Sequence, residues 1–231
     1  MNRGAFFNRT AASTLLAYTS GFVDTLTFIA LFGLFSAHIT GNFVLSAMSL
    51  AEYHHGLWLK LFAVPTFVVI AFCTRWFIIR RERHQLDATA HVLMAQAVLL
   101  FCFMLLAIYR SPFVDHTARG TLACGMLAVA AMAVQNTAAR TLFSDLPPTT
   151  VMTGNLVQIV VDLVDLLHGH GASDAKRARL ARLVPMVAGF VLGTLSGALG
   201  YVNVGFYCVI VPIISVTIVS IMIKSSQAAA A

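Results

Sequence analysis

Charge is what this sequence has least of. Only 10% of its 231 residues are Asp, Glu, Lys or Arg, against 59% hydrophobic ones. A water-soluble domain carries roughly a quarter charged residues, so this composition cannot cover itself with an aqueous surface. The mean hydropathy of +0.85 agrees. The expectation is an all-α integral membrane protein, a single membrane domain over residues 1–231, with the lipid bilayer as its first partner and no room for a second sizeable soluble domain. Cysteine is scarce too. Cys73, Cys102, Cys124 and Cys208 each lie inside an apolar stretch, unpaired in spacing and with no His at zinc-ligand distance, which argues against a disulfide framework and against a metal site; they read as small buried hydrophobes. A glycine-rich phosphate loop, a nucleophile elbow and a helical His-Glu-x-x-His motif are all missing. No cofactor, no metal and no enzymatic chemistry is expected.

What is present is a series of apolar runs. Between Thr10 and Ala51 the only charged residue is Asp24, enough chain for one crossing helix and a shorter piece. Arg3 and Arg9 precede this run as in a secretory signal, but it continues to Phe35, longer than a cleavable core, so the first helix is expected to be retained. Residues 11–35 make the first span, 36–42 interrupt it, and 43–51 are apolar but too short to cross. Further runs cover 57–79, 92–109 and 121–143; after Pro147-Pro148 comes a second short piece, 156–167, and residues 183–223 hold two spans turned near Gly200–Asn203.

These pieces repeat. Thr40-Gly41-Asn42 and Thr153-Gly154-Asn155 are identical triplets, each after one full span and before one short apolar segment, and Ala63-Val64-Pro65 lines up with Leu183-Val184-Pro185 downstream. The shared order of parts indicates an internal duplication, with residues 11–109 as the first repeat and 120–223 as the second.

The net charge of +6 points to no nucleic acid, because the basic residues sit between apolar runs and there report orientation. The densest clusters are Arg80, Arg81 and Arg83, and Lys176, Arg177, Arg179 and Arg182. Both belong on the cytoplasmic side. Were both short segments to cross, the clusters would face opposite sides. Making both re-entrant gives six transmembrane helices with both termini inside, leaving only Lys60, Arg110 and Arg119 outside. Three full spans per repeat then enter the membrane in opposite senses, an inverted 3+3 repeat of the kind found in many secondary transporters, with the site near the midplane. If only one short segment crossed, there would be seven spans and an outside N-terminus.

Irregular backbone at membrane depth survives only inside protein or beside a water-filled cavity, and the triplets mark such places. Gly41 and Gly154 allow an unusual turn or close approach; Thr40 or Asn42, and Thr153 or Asn155, can cap the following short helix, whose free N–H groups would attract anions or dipoles. The alternative is that Asn42 and Asn155 only cap helices and hold the halves together. Asp24 is the sole acid in the first span, and an intramembrane carboxylate is a functional candidate by default, able to bind a cation or carry a proton. Otherwise it is a neutral or salt-bridged acid that holds helices together, with Arg140 as a candidate partner. Its repeat position is Thr137, beside Gln135-Asn136, so one half offers an acid and the other two amides. In the second short segment Gln158, Asp162 and Asp165 form one polar stripe, which suits a vestibule or, for Asp165, the headgroup region. His38 precedes the first triplet and is a group that titrates near neutral pH, while His54, His55, His168 and His170 flank segment ends without forming a metal cage. Gly189, Gly193 and Gly197 recur every four residues, a packing surface either within the bundle or for a homodimer.

With these residues placed, the chain resembles the YoaK-like family of bacterial inner-membrane proteins, a domain of unknown function. The resemblance spans nearly the whole length and rests on Gly21-Phe22-Val23-Asp24, His38-Ile39-Thr40-Gly41-Asn42, Gln135-Asn136-Thr137-Ala138-Ala139-Arg140 and Thr149-Thr150-Val151-Met152-Thr153-Gly154-Asn155. The family usually has Ala where this chain has Thr25 and Thr137, departures that keep the polar groups. The resemblance implies a multi-pass protein of the bacterial inner membrane and implies no substrate. The expected function is therefore physical in origin: a small-solute transporter or permease, its site drawn from Asp24, His38, Thr40, Gly41, Asn42, Gln135, Asn136, Thr153, Gly154 and Asn155. A membrane scaffold or sensor subunit, and a channel, stand as alternatives.

Overall fold

The computed structural model describes residues 3–52, 56–144, 146–169, 171 and 173–228. His54, His55 and His170 lie outside the described residues. All regular structure among the described residues is helical: α1 (Arg3–Ala30), α2 (Ile39–Glu52), α3 (Leu57–Arg83), α4 (Thr89–Arg110), α5 (Arg119–Thr141), α6 (Met152–Leu167), α7 (Ser173–Val204) and α8 (Ile210–Ala228), with a 3-10 turn at Gly205–Val209 between the last two. In lipid a helix satisfies its own backbone, and this fold follows that rule. Leu57–Arg83, Thr89–Arg110, Arg119–Thr141 and the continuous run Ser173–Ser225 are each long and apolar enough to cross a membrane. The protein is a helical membrane protein. The expected turn near Gly200–Asn203 falls a few residues later, at Gly205 (φ 58), a left-handed backbone that glycine adopts without strain. Pro65 and Pro185 sit inside α3 and α7, where neighbouring helices make such breaks tolerable.

The tightest packing is between α1 and α7. A Cβ on Gly189, Gly193 or Gly197 would stand 2.8, 2.1 or 2.4 Å from the carbonyl oxygens of Thr14, Tyr18 and Phe22, and one on Gly21 would stand 2.3 Å from that of Phe190. Contacts advance together along both helices, so α1 and α7 run parallel, backbone against backbone. The glycine ladder thus works within the bundle. The homodimer expected through Gly189, Gly193 and Gly197 is corrected on this point, because α1 already covers that face.

The second parallel pair is α3 with α5: Gly125 meets Leu59, and further along Ile70 and Val134 line one cavity. α4 and α5 form an antiparallel hairpin tied by Gln96 Nε2 donating to Gln135 Oε1 at 2.6 Å. Beyond α7, Phe206 meets Phe103, Phe113 and Tyr201 edge-on, and α8 returns along α1 and α4.

Both short helices double back. After α1, Gly33 (φ 77) helps close a tight turn, and the chain descends beside α1 until Ala37 and His38 lie level with Asp24, about 9 Å short of the end of α1 at 1.5 Å per residue. α2 then climbs back, tied to α3 by Lys60 Nζ and Ser49 Oγ at 3.3 Å. Gly56 returns to within 2.9 Å of the Phe32 carbonyl, measured from its Cβ position. The second half repeats this course. Thr149 and Thr150 come level with Gln135 and Asn136, about 8 Å before the end of α5, and α6 climbs back against α7 through Lys176 and Asp165 at 2.8 Å.

Candidate functional site

The first tip is built around Asp24, which is 4% exposed. One carboxylate oxygen accepts the Ala37 N–H at 2.7 Å, the Ser36 hydroxyl at 3.4 Å and the His38 N–H at 3.5 Å. The other faces His38 Nδ1 at 2.5 Å. Thr27 completes the cluster: its hydroxyl reaches the Asp24 carbonyl at 3.1 Å and Ser36 Oγ at 3.3 Å. A carboxylate just before α2 complements the partial positive charge of that helix end. Arg140, the expected structural partner, is exposed. The pairing Asp24–Arg140 is corrected to Asp24–His38.

Asn42 locks the connector that carries this cluster. Its Oδ1 accepts the Phe35 N–H at 3.0 Å and its Nδ2 donates to the Phe35 carbonyl at 2.7 Å. In the second half Asn155 Nδ2 donates to the Pro148 carbonyl at 2.8 Å, the same reach of seven residues back along the chain. Proline has no N–H, so the second clamp lacks the other bond. Neither triplet caps its helix in the expected manner. α2 begins at Ile39 and α6 at Met152, upstream of Thr40 and Thr153, which are exposed. Gly41 meets the expectation of close approach, its Cβ position lying 2.8 Å from the Phe35 ring; Gly154 does not, its nearest neighbour being Val151 at 3.8 Å.

The second tip has amides and hydroxyls in place of the acid. Gln135 Nε2 donates to the Leu16 carbonyl at 2.8 Å and to Thr149 Oγ1 at 3.3 Å. The Thr150 hydroxyl donates to Asn136 Oδ1. Thr137, at the repeat position of Asp24, returns its hydroxyl to the Ala133 carbonyl at 2.8 Å. Gln96 and Gln135 are both fully enclosed, and Gln96 Oε1 has no partner, as is also true of Thr19 Oγ1 and Ser20 Oγ on α1.

The structure therefore divides the expected site into two clusters. Asp24, His38 and Asn42 form one; Gln135, Asn136 and Asn155 form the other, and no hydrogen bond joins them among the described residues. α1 serves both, since Leu16 and Asp24 are about 12 Å apart along it. Sequence reasoning missed Ser36, Thr149, Thr150 and above all Gln96, a lone amide in an otherwise apolar run, which was a legible signal.

The polar stripe of α6 pairs with the basic start of α7. Asp162 accepts from Arg179 Nε at 2.6 Å and from Arg179 Nη2, and Gln158 Nε2 donates to it at 2.9 Å. Beside this pair a cavity of about 410 Å³ opens between Leu146-Pro147 and Ala175, Ala178, Arg179 and Arg182.

No curated protein and no solved structure matches the chain. A family match covers both tips and the helices around them, over residues 12–222: the chain belongs to the DUF1275 family, described as a protein of unknown function, to which the YoaK-like proteins also belong.

Proposed function

We propose that the protein is a small-solute membrane transporter or permease built as an inverted 3+3 repeat. α1, α3 and α4 supply three crossings from the first repeat and α5, α7 and α8 three from the second, while α2 and α6 are re-entrant half-helices. The observation that carries this reading is the pair of clamped tips, each held level with the preceding helix by an Asn seven residues further on. Irregular backbone of this kind at membrane depth survives inside protein or beside a water-filled cavity, and in an inverted repeat broken helices at corresponding positions mark transporter sites. The packing supports the symmetry, because α1 lies on α7 as α5 lies on α3, and α2 on α3 as α6 on α7. With this topology the clusters Arg80–Arg83 and Lys176–Arg182 share one side, which makes both termini cytoplasmic in a bacterial inner membrane.

Asp24 is the coupling group, for an ion or a proton, and the amides around Gln135 meet the solute. Ligand-dependent thermal stabilisation of the purified protein tests this, using inorganic ions, organic acids and small metabolites across pH. A compound that stabilises the wild type but not folded Asp24→Asn or Gln135→Ala supports a site at the tips. Reporter fusions within 83–90 and 169–176 test the topology, and opposite-side signals sink the inverted repeat.

A scaffold or sensor role draws on one specific observation: both polar atoms of the Asn42 amide are engaged by backbone. Loss of folding without any ligand effect in Asn42→Ala favours it.

A further inference from the structure

Resting on that reading, we infer that the coupling ion is a proton, held by the Asp24–His38 pair and exchanged at His38 Nε2, and that no metal cation binds there. A metal ion such as Na⁺ or Ca²⁺ is held by several oxygen atoms offering lone pairs. Asp24 offers few. One of its oxygens is ringed by the Ala37 N–H, the Ser36 hydroxyl and the His38 N–H, and these hydrogens would point at any cation placed among them. The other oxygen stands 2.5 Å from His38 Nδ1, a separation that requires a hydrogen between the two atoms.

That hydrogen fixes how the pair can change its charge. With the proton on Nδ1, His38 donates to Asp24 in the neutral and in the cationic ring alike, and the state of the pair is decided at Nε2. A proton arriving at Nε2 turns an anionic pair into a neutral ion pair; its departure restores the anion. No bond to Asp24 breaks in either direction. The two groups differ in openness: the His38 side chain is 35% exposed and that of Asp24 is 5% exposed, so the imidazole is the more open member of the pair.

Among the described residues His38 is the one ionisable side chain hydrogen-bonded to Asp24, and the buried Lys60 of α3 is held at the far end of α2 by Ser49. α7 turns Phe190 to the imidazole, with ring centres 5.7 Å apart, and the nearest of its basic residues along the helix, Arg182, is about 12 Å further down. α2 carries no titratable residue from Ile39 to Ala51. Arg140 of α5 and Lys224 of α8 are exposed. Because Asp24 also holds the N–H groups of Ala37 and His38, the charge of the pair acts directly on the start of α2.

Nitrogen NMR of the full chain in nanodiscs, ¹⁵N-labelled at histidine, tests this with protons, Na⁺ and K⁺ as the only probes, and with choline to keep ionic strength equal. The His38 signal is assigned by its loss in His38→Gln. The expected result is Nδ1 protonated throughout, Nε2 titrating, no response to Na⁺ or K⁺ against choline, and a pH response of the ring that changes in Asp24→Asn. A Na⁺ or K⁺ response that disappears in Asp24→Asn overturns the proposal in favour of a cation site. A neutral ring protonated at Nε2 overturns it as well, and the wild type alone reveals that should Asp24→Asn not fold. The measurement involves no flux, so a protein that titrates as described but carries no solute rejects the transporter reading and leaves the proton site standing.

Discussion

The two tips share a backbone and differ in chemistry. Each descends beside a full-length helix, each is clamped by an Asn from the first turn of a half-helix, and each faces a neighbour in the other half. One tip wraps its connector around a buried carboxylate; the other, with Thr137 in the same place, closes on amides and hydroxyls. The clamp recurs and the charge does not. The shared clamp holds both connectors, and the single acid with its imidazole partner sets the first tip apart from the second.

Variants that break the comparison should rank by how much buried polarity they strand. Asp24→Ala removes the acceptor for Ala37, Ser36 and His38 at once and strips the imidazole of its partner. A loss of about 3–5 kcal/mol is expected, read as a fall in the unfolding midpoint in mild detergent. Asn42→Ala comes next, since it leaves both the N–H and the carbonyl of Phe35 without their partner, about 2–4 kcal/mol in the same assay. Asn155→Ala sharpens the contrast: only the Pro148 carbonyl is deprived, so the loss should be about 1–2 kcal/mol, and equal losses at the two Asn positions would show that the clamps do not differ as drawn. Smallest are Thr40→Ala and Thr153→Ala, exposed side chains whose removal should stay within about 0.5 kcal/mol. A larger effect on solute binding than on stability at either threonine would return them to the site.

This ranking marks what the sequence disclosed and what it hid. The triplets located both breaks, because a Gly beside polar residues in an apolar run has few other uses in a membrane. Asn42 and Asn155 were legible as the important members, although their role is to reach back to the connector. Asp24 stood out as a lone acid, yet its partner did not: Arg140 and His38 were both on the page, and only the path of the connector decides between them. Gln96 could have been found by the same reasoning that found Asp24. The glycine ladder was readable as a close-packing surface, while the identity of the facing helix depends on contacts between residues such as Tyr18 and Gly193, too distant in the chain for any local pattern to encode.

The contact between α1 and α7 has a mechanical consequence. With carbonyl oxygens of one helix seated against glycines of the other, and only small groups such as the Thr14 and Thr194 methyls beside them, little is left to slide or re-pack, and prising the pair apart would expose backbone to lipid. The two helices therefore behave as one stiff beam joining the halves, and this beam carries Asp24 and the Leu16 carbonyl together. A cycle that opened the protein alternately to each side, as the proposed transport would require, would have to bend elsewhere, along the seam where Gln135 crosses to α1 and where α4 meets α8. Alanine at Gly193 would load the beam itself, while changes at Gln96 or Gln135 would loosen the seam beside it.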